Sequence, residues 1–162
     1  MTVTVANTQR ESPVNTARMG RLARAAVKRL RIRAPGTLAV TFIGSRRMRA
    51  LNKRFCRHDA VTDVLSFRYE DVPRLGFASL GIQPVIGEIL VTPRVARVYA
   101  KQHGIAYEAE LSRYVIHGLL HWAGHDDRTA EERRLMRTLE DRLLPIQNLK
   151  SKIQNSHHVR ER

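Results

Sequence analysis

The residues best suited to chemistry are gathered in one stretch, His117-Gly118-Leu119-Leu120-His121-Trp122-Ala123-Gly124-His125-Asp126-Asp127. On a helix, two histidines four residues apart share a face, one a turn above the other. His117 and His121 can therefore aim ring nitrogens at one divalent ion, as in zinc-binding helices with H-x-x-x-H spacing. Gly124 follows three residues later. A glycine there can adopt the left-handed conformation that ends a helix and turns the chain back. A third donor past the turn would complete the set. Asp127 is the preferred donor, with Asp126 and His125 as rivals. Three protein donors would leave a zinc ion, one per chain, with an open coordination position.

The same histidine-glycine-ligand spacing occurs in metzincin proteases, which carry a glutamate directly after the first histidine as general base. Here that residue is Gly118, which cannot take a proton, so peptidase chemistry of that type is disfavoured. Charge points elsewhere. Lys and Arg number 29 against 15 Asp and Glu, a formal net charge of +14. Such an excess attracts phosphate backbones or anionic membranes. No lipidation signal or apolar run of about 20 residues supports the membrane, so nucleic acid is favoured. The N-terminus lacks an apolar signal core, and a cytoplasmic protein is expected. Cys56 is the single cysteine, which rules out an intrachain disulfide. The chain is long enough for one domain with one core, set at residues 1–146. The polar, aperiodic stretch 147–162 reads as a disordered tail, and His157-His158 within it as a chance pair.

The elements that must position the histidines follow from periodicity. Ala106 to Ala123 reads as a central helix, apolar on most sides through Leu111, Tyr114, Val115, Leu119, Leu120 and Trp122. Thr129 and Glu132 form a capping box that opens a last helix ending before Pro145. Upstream, strands are expected at Thr2 to Ala6, Thr37 to Ile43, Thr62 to Phe67 and Gly87 to Val91. A basic amphipathic helix spans Thr16 to Arg31. Ser45 is expected to cap a second helix, Arg46 to Phe55. Thr92-Pro93 opens a third, Arg94 to Gln102. Tyr69 to Val85 reads as a long, weakly patterned loop with room for a small hairpin. From Arg46 to Arg57 there are six basic residues and no acid. Of these, Arg46, Arg47, Arg49, Lys53 and Arg54 are the candidate nucleic-acid-backbone contacts, which would position a strand without reading its sequence. Phe67, Tyr69 and Trp122 could stack on bases, although core packing is the commoner role for such residues.

Taken together, Leu51-Asn52, T-D-V-L-S-F at Thr62 to Phe67, G-E-I at Gly87 to Ile89 and the histidine stretch resemble the YbeY family of bacterial ribosomal-RNA maturation endoribonucleases. The resemblance runs in matching order from about Thr37 to Leu144. It implies an α+β fold, with a small mixed sheet of about four strands, about five helices and the zinc site on the central helix. It implies metal-dependent cleavage of single-stranded RNA, in 3′-end maturation of small-subunit (16S) ribosomal RNA and in ribosome quality control. Ribosomal RNA and the small ribosomal subunit would be the partners, with no small-molecule cofactor beyond the metal.

Three departures from the family pattern stand out. The family usually ends its metal motif in a third histidine, and Asp127 occupies that place. A carboxylate is an acceptable zinc ligand, but its charge would lower the Lewis acidity of the ion. The family arginine that follows the Leu-Asn pair falls on Cys56, leaving Arg57, or Arg54, to supply a catalytic cation. Glu88 stands where Asp is usual. The rival to a nuclease is a non-catalytic ribosome-assembly factor with a structural metal site, which the loss of arginine at Cys56 would suit.

Overall fold

A computed structural model describes residues 1–69 and 83–144 of the 162. Four strands and five helices alternate along these residues: β1 (Thr2–Asn7), α1 (Thr16–Arg29), β2 (Thr37–Phe42), α2 (Ser45–Cys56), β3 (Val64–Arg68), β4 (Val85–Val91), α3 (Pro93–His103), α4 (Tyr107–Trp122) and α5 (Ala130–Leu143). The strands form one mixed sheet in the order β1-β2-β4-β3. The β1–β2 and β2–β4 pairs are parallel, and β3 runs antiparallel to β4. The expected α+β architecture is therefore present.

Side chains alternate across a strand, so each strand presents two faces. Leu38, Val40 and Phe42 of β2 and Ile89 and Val91 of β4 join the main core with α1, α4 and α5, and α3 packs beside α4. Leu90 points the other way. It meets Met48 and Ile43 in a smaller cluster that Leu51, Leu65 and Phe67 border. Helix α2 thus lies across the sheet from α4.

Helix α4 is buried on nearly every side because both its glycine and its apolar residues face neighbours. A Cβ on Gly118 would lie 2.6 Å from Val64 Cγ2 and 2.6 Å from Ile89 Cγ2. The absent side chain is what lets α4 settle onto β3 and β4. Ser66 Oγ donates to the Gly118 carbonyl at 2.8 Å, fixing the same contact. Gly87 performs the matching service on β4, where a Cβ would collide with the Trp122 indole. The three sequence motifs meet at this seam. Trp122 is buried there, so its packing role prevails over base stacking, while Tyr69 is exposed and Phe67 sits edge-on against Phe55.

Several boundaries differ from the sequence reading. Ser45 is not the cap of α2. Gly44 occupies the N-cap position, and Glu11 supplies the missing acceptor, taking bonds from Ser45 N at 3.0 Å and Ser45 Oγ at 2.6 Å. A distant carboxylate can satisfy orphan helix donors as well as a local hydroxyl can. Helix α1 stops at Arg29, and Arg31 takes a positive φ of 53°. Strand β3 starts at Val64 because the Asp63 carboxylate turns back onto the Val64 amide. Strand β4 reaches back to Val85 by pairing with Thr37. The hairpin considered within the 69–85 stretch and the 147–162 tail, including His157 and His158, lie outside the described residues. Among the described residues, no helix is long and apolar enough to cross a membrane.

Candidate metal centre

The two histidines come together as their spacing predicts. His117 Nε2 and His121 Nε2 are 3.0 Å apart on one face of α4, with their rings edge to face. Helix α4 then ends, and Gly124 turns the chain at φ 100°. The turn returns Asp127 to the pair, its Oδ2 lying 3.7 Å from His117 Nε2 and 3.9 Å from His121 Nε2. A point equidistant from these three atoms lies about 2.1 Å from each, within the about 2.0–2.2 Å of zinc–nitrogen and zinc–oxygen bonds. Among the described residues this is the one group of donors close enough to hold an ion. The carboxylate of Asp126 is engaged elsewhere, accepting from the Asp127 amide at 2.9 Å and from Arg128 Nε at 2.8 Å. His125 contributes its backbone amide to the helix end, bonded to the Leu120 carbonyl.

The chemistry of the pair also calls for a cation. His117 Nδ1 is 2.7 Å from Glu140 Oε1 of α5. A carboxylate only accepts, so Nδ1 carries the proton and donates. That leaves His117 Nε2 as a lone pair aimed at His121. Two imidazole lone pairs 3.0 Å apart repel unless a proton or a metal ion lies between them. Burial by itself would depress the His117 pKa. The bond to Glu140, then its charge and those of Asp63 and Asp127, outweigh burial and hold it above the ordinary histidine value. A proton and a metal ion therefore compete for the space between the two Nε2 atoms.

Glu140 was not singled out from the sequence. It is 5% exposed, a buried carboxylate whose partner is the histidine. Carboxylate partners of this kind fix the tautomer and orientation of metal-binding histidines. The turn carrying Asp127 is secured from α5 as well. Arg133 Nη1 donates to the carbonyls of Asp127 at 3.0 Å and Arg128 at 2.6 Å, and the Thr129–Glu132 capping box is fully formed. Asp63, given no role in the sequence reading, faces the cluster from the start of β3.

The basic residues of α2 lie behind the sheet. Arg49 Nε and Lys53 Nζ share the Asp59 carboxylate at 2.7 and 2.8 Å. Those hydrogen bonds, Arg49's first, hold the Asp59 carboxyl down to about 2. An acid just beyond the run therefore offsets part of its charge. Arg46, Arg47 and Arg54 lie on the same helix, and Arg54 sits over the exposed Phe55 ring. Cys56 is exposed at the last position of α2. Arg57 follows it as the C-cap in a left-handed conformation, φ 57°.

Comparison with known proteins bears on this arrangement. A family model described as Endoribonuclease YbeY matches residues 4–148. A protein named Endoribonuclease YbeY from Anaeromyxobacter sp. (strain Fw109-5) is 39% identical over 125 residues, covering 70% of this chain and 62% of the relative. A protein of the same name from Myxococcus xanthus (strain DK1622) is 36% identical over 107 residues, covering 66% of this chain and 35% of the relative. This chain therefore spans less than two thirds of the length of either. A solution structure of a Thermotoga maritima protein superposes with a TM-score of 0.55 at 23% identity, covering 87% of this chain and 88% of that one. That likeness supports the fold.

Proposed function

The chain belongs to the YbeY endoribonuclease family, and on that footing we propose that it is a zinc-dependent endoribonuclease that cuts single-stranded RNA. Its substrate in this reading is small-subunit (16S) ribosomal RNA near the 3′ end. Its partner is the small ribosomal subunit, its setting the cytoplasm and its wider role ribosome quality control. The observation that carries the reading is the convergence of His117, His121 and Asp127 into three donors rather than four among the described residues. Structural zinc sites are closed by four protein ligands, whereas catalytic sites keep one position open.

When bound, zinc supplies Lewis acidity toward a phosphodiester and activates water near neutral pH. The protein's own groups prepare for that. Glu140 keeps the His117 proton on Nδ1 and so frees Nε2. Arg133 holds the Asp127 turn in place. The α2 cations, Arg46, Arg47, Arg49, Lys53 and Arg54, attract the backbone of a strand that reaches the centre around the β3 edge. In place of the family arginine at the Cys56 position, Arg57 supplies a cation from the C-cap of α2, less well aimed than an arginine at position 56 would be. An arginine stabilising charge on phosphoryl oxygens is commonly worth roughly 10² to 10³ in rate.

Cys56 itself favours the second reading, an assembly factor whose metal is structural. The deciding experiment pairs metal analysis with cleavage of a single-stranded RNA, with and without chelator. Wild-type protein is expected to hold one zinc per chain and to cut RNA until chelated. His117→Ala and His121→Ala should lose both properties. A zinc-loaded protein that cuts no RNA would leave the structural reading standing.

A further inference from the structure

The donor cluster opens onto a cavity of about 290 Å3 among α3, α4 and α5, whose wall carries Arg113, Arg133 and Arg137 beside His117 and Asp127. A second cavity of about 370 Å3 adjoins it, with Tyr99, Arg113, Arg137 and Glu140 lining both. Five carboxylates line the two, and each is engaged: Glu140 with His117, Asp127 in the donor cluster, Asp63 with its own turn, Glu110 with Arg113, and Asp141 in an interaction of its own. Of the guanidiniums, Arg113 is bound to the buried Glu110. Arg133 directs one nitrogen to backbone carbonyls, which leave its charge unneutralised. Arg137 lies one turn further along α5, on the same face, exposed, and holds no carboxylate among the described residues. A divalent ion on the neighbouring donors would add to this positive charge. Helix α2, by contrast, is separated from the cluster by the sheet.

We infer that Arg137, with Arg133 behind it, forms a phosphate-binding subsite that seats the nucleotide next to the scissile bond, so that the RNA strand runs along the two adjoining cavities. A guanidinium suits a phosphodiester because its planar N–H groups match the phosphate oxygens. The identity of the strand rests on the nuclease reading above, while the position of the subsite rests on the cavity.

The test uses the zinc-loaded full chain and an uncleavable single-stranded 2′-O-methyl oligoribonucleotide, with binding read by fluorescence anisotropy. Arg137→Glu is expected to weaken binding about tenfold, with zinc per chain unchanged. Arg137→Lys keeps the charge but loses the planar fork and should fall between the wild type and Arg137→Glu. Arg21→Glu makes the same change of charge on the exposed face of α1, away from the cavity, and should alter binding by less than about twofold. Wild-type affinity in Arg137→Glu, an equal loss in Arg21→Glu, or loss of zinc by Arg137→Glu would each overturn the subsite. Cleavage of unmodified RNA separates the two readings. If the wild type cuts nothing while Arg137→Glu still loses binding, the nuclease reading falls and the subsite stands. If Arg137→Glu binds and cuts as the wild type does, the subsite falls and the nuclease reading stands.

Discussion

Replacing Glu140 by Gln tests whether α5 governs the metal centre on α4. The substitution keeps the shape of the side chain and an acceptor for the His117 Nδ1 proton at the present 2.7 Å, but it removes the negative charge. Glu140 is nearly inaccessible, so water cannot replace the lost charge. Removing such a partner typically costs about 10- to 100-fold in metal affinity. Because Gln preserves the hydrogen bond, the lower end is expected, about tenfold or 1.4 kcal/mol. The pH dependence gives a second reading. In the metal-free protein the His117 pKa is raised: burial lowers it, but the Glu140 bond and charge outweigh burial. A group raised on folding contributes stability that is fully present below its unfolded value, about 6.5, and is lost as pH rises through the folded value. The proton also competes with zinc, so zinc affinity climbs over the same window. Without the Glu140 charge the folded value falls, and proton competition weakens along with ligand basicity. The affinity gap between wild type and Glu140→Gln should therefore be wider at pH 8 than at pH 6. Competition against a chromophoric chelator at both pH values measures it. Equal affinities at pH 8, or a gap that widens toward acid, would refute the argument that Glu140 acts through His117.

Three further predictions follow from the packing. Gly118→Ala would bring a methyl group to 2.6 Å from Val64 and Ile89; overpacking of about 1–3 kcal/mol should exceed the helix-propensity gain of about 1 kcal/mol, lowering the urea midpoint. A raised midpoint would mean that the seam between α4 and the sheet yields freely. Thr129→Ala removes half of the capping box and should cost about 1 kcal/mol in the same denaturation, with Thr129→Ser recovering most of it. Cys56→Arg restores the family cation at the exposed end of α2 and should raise the rate of RNA cleavage about tenfold or more without changing bound zinc. An unchanged rate would assign that role to Arg57 or Arg54, or remove it from the reaction.

The sequence by itself determined whatever depends on near neighbours along the chain. The i,i+4 spacing of His117 and His121 places both on one face of α4 whatever surrounds it, and the Thr129–Glu132 box closes over a single turn. Gly124 could be read as a turn because few other residues tolerate its positive φ. The choice between Asp126 and Asp127 could be ranked but not decided, since one residue of register reverses which carboxylate returns to the histidines. What only the tertiary structure decided spans long separations. Glu140 lies 23 residues from His117; its spacing between Met136 and Leu143 puts it on the core face of α5, but no local pattern names its partner. Glu11 reaches across 34 residues to cap α2 in place of Ser45. The side of the sheet that α2 covers depends on the alternation of Leu90 against Ile89, and with it the separation of the α2 cations from the centre. Hydrogen bonds and charges act at a few ångströms in space. Periodicity reports such distances only within an element; between elements, packing sets them.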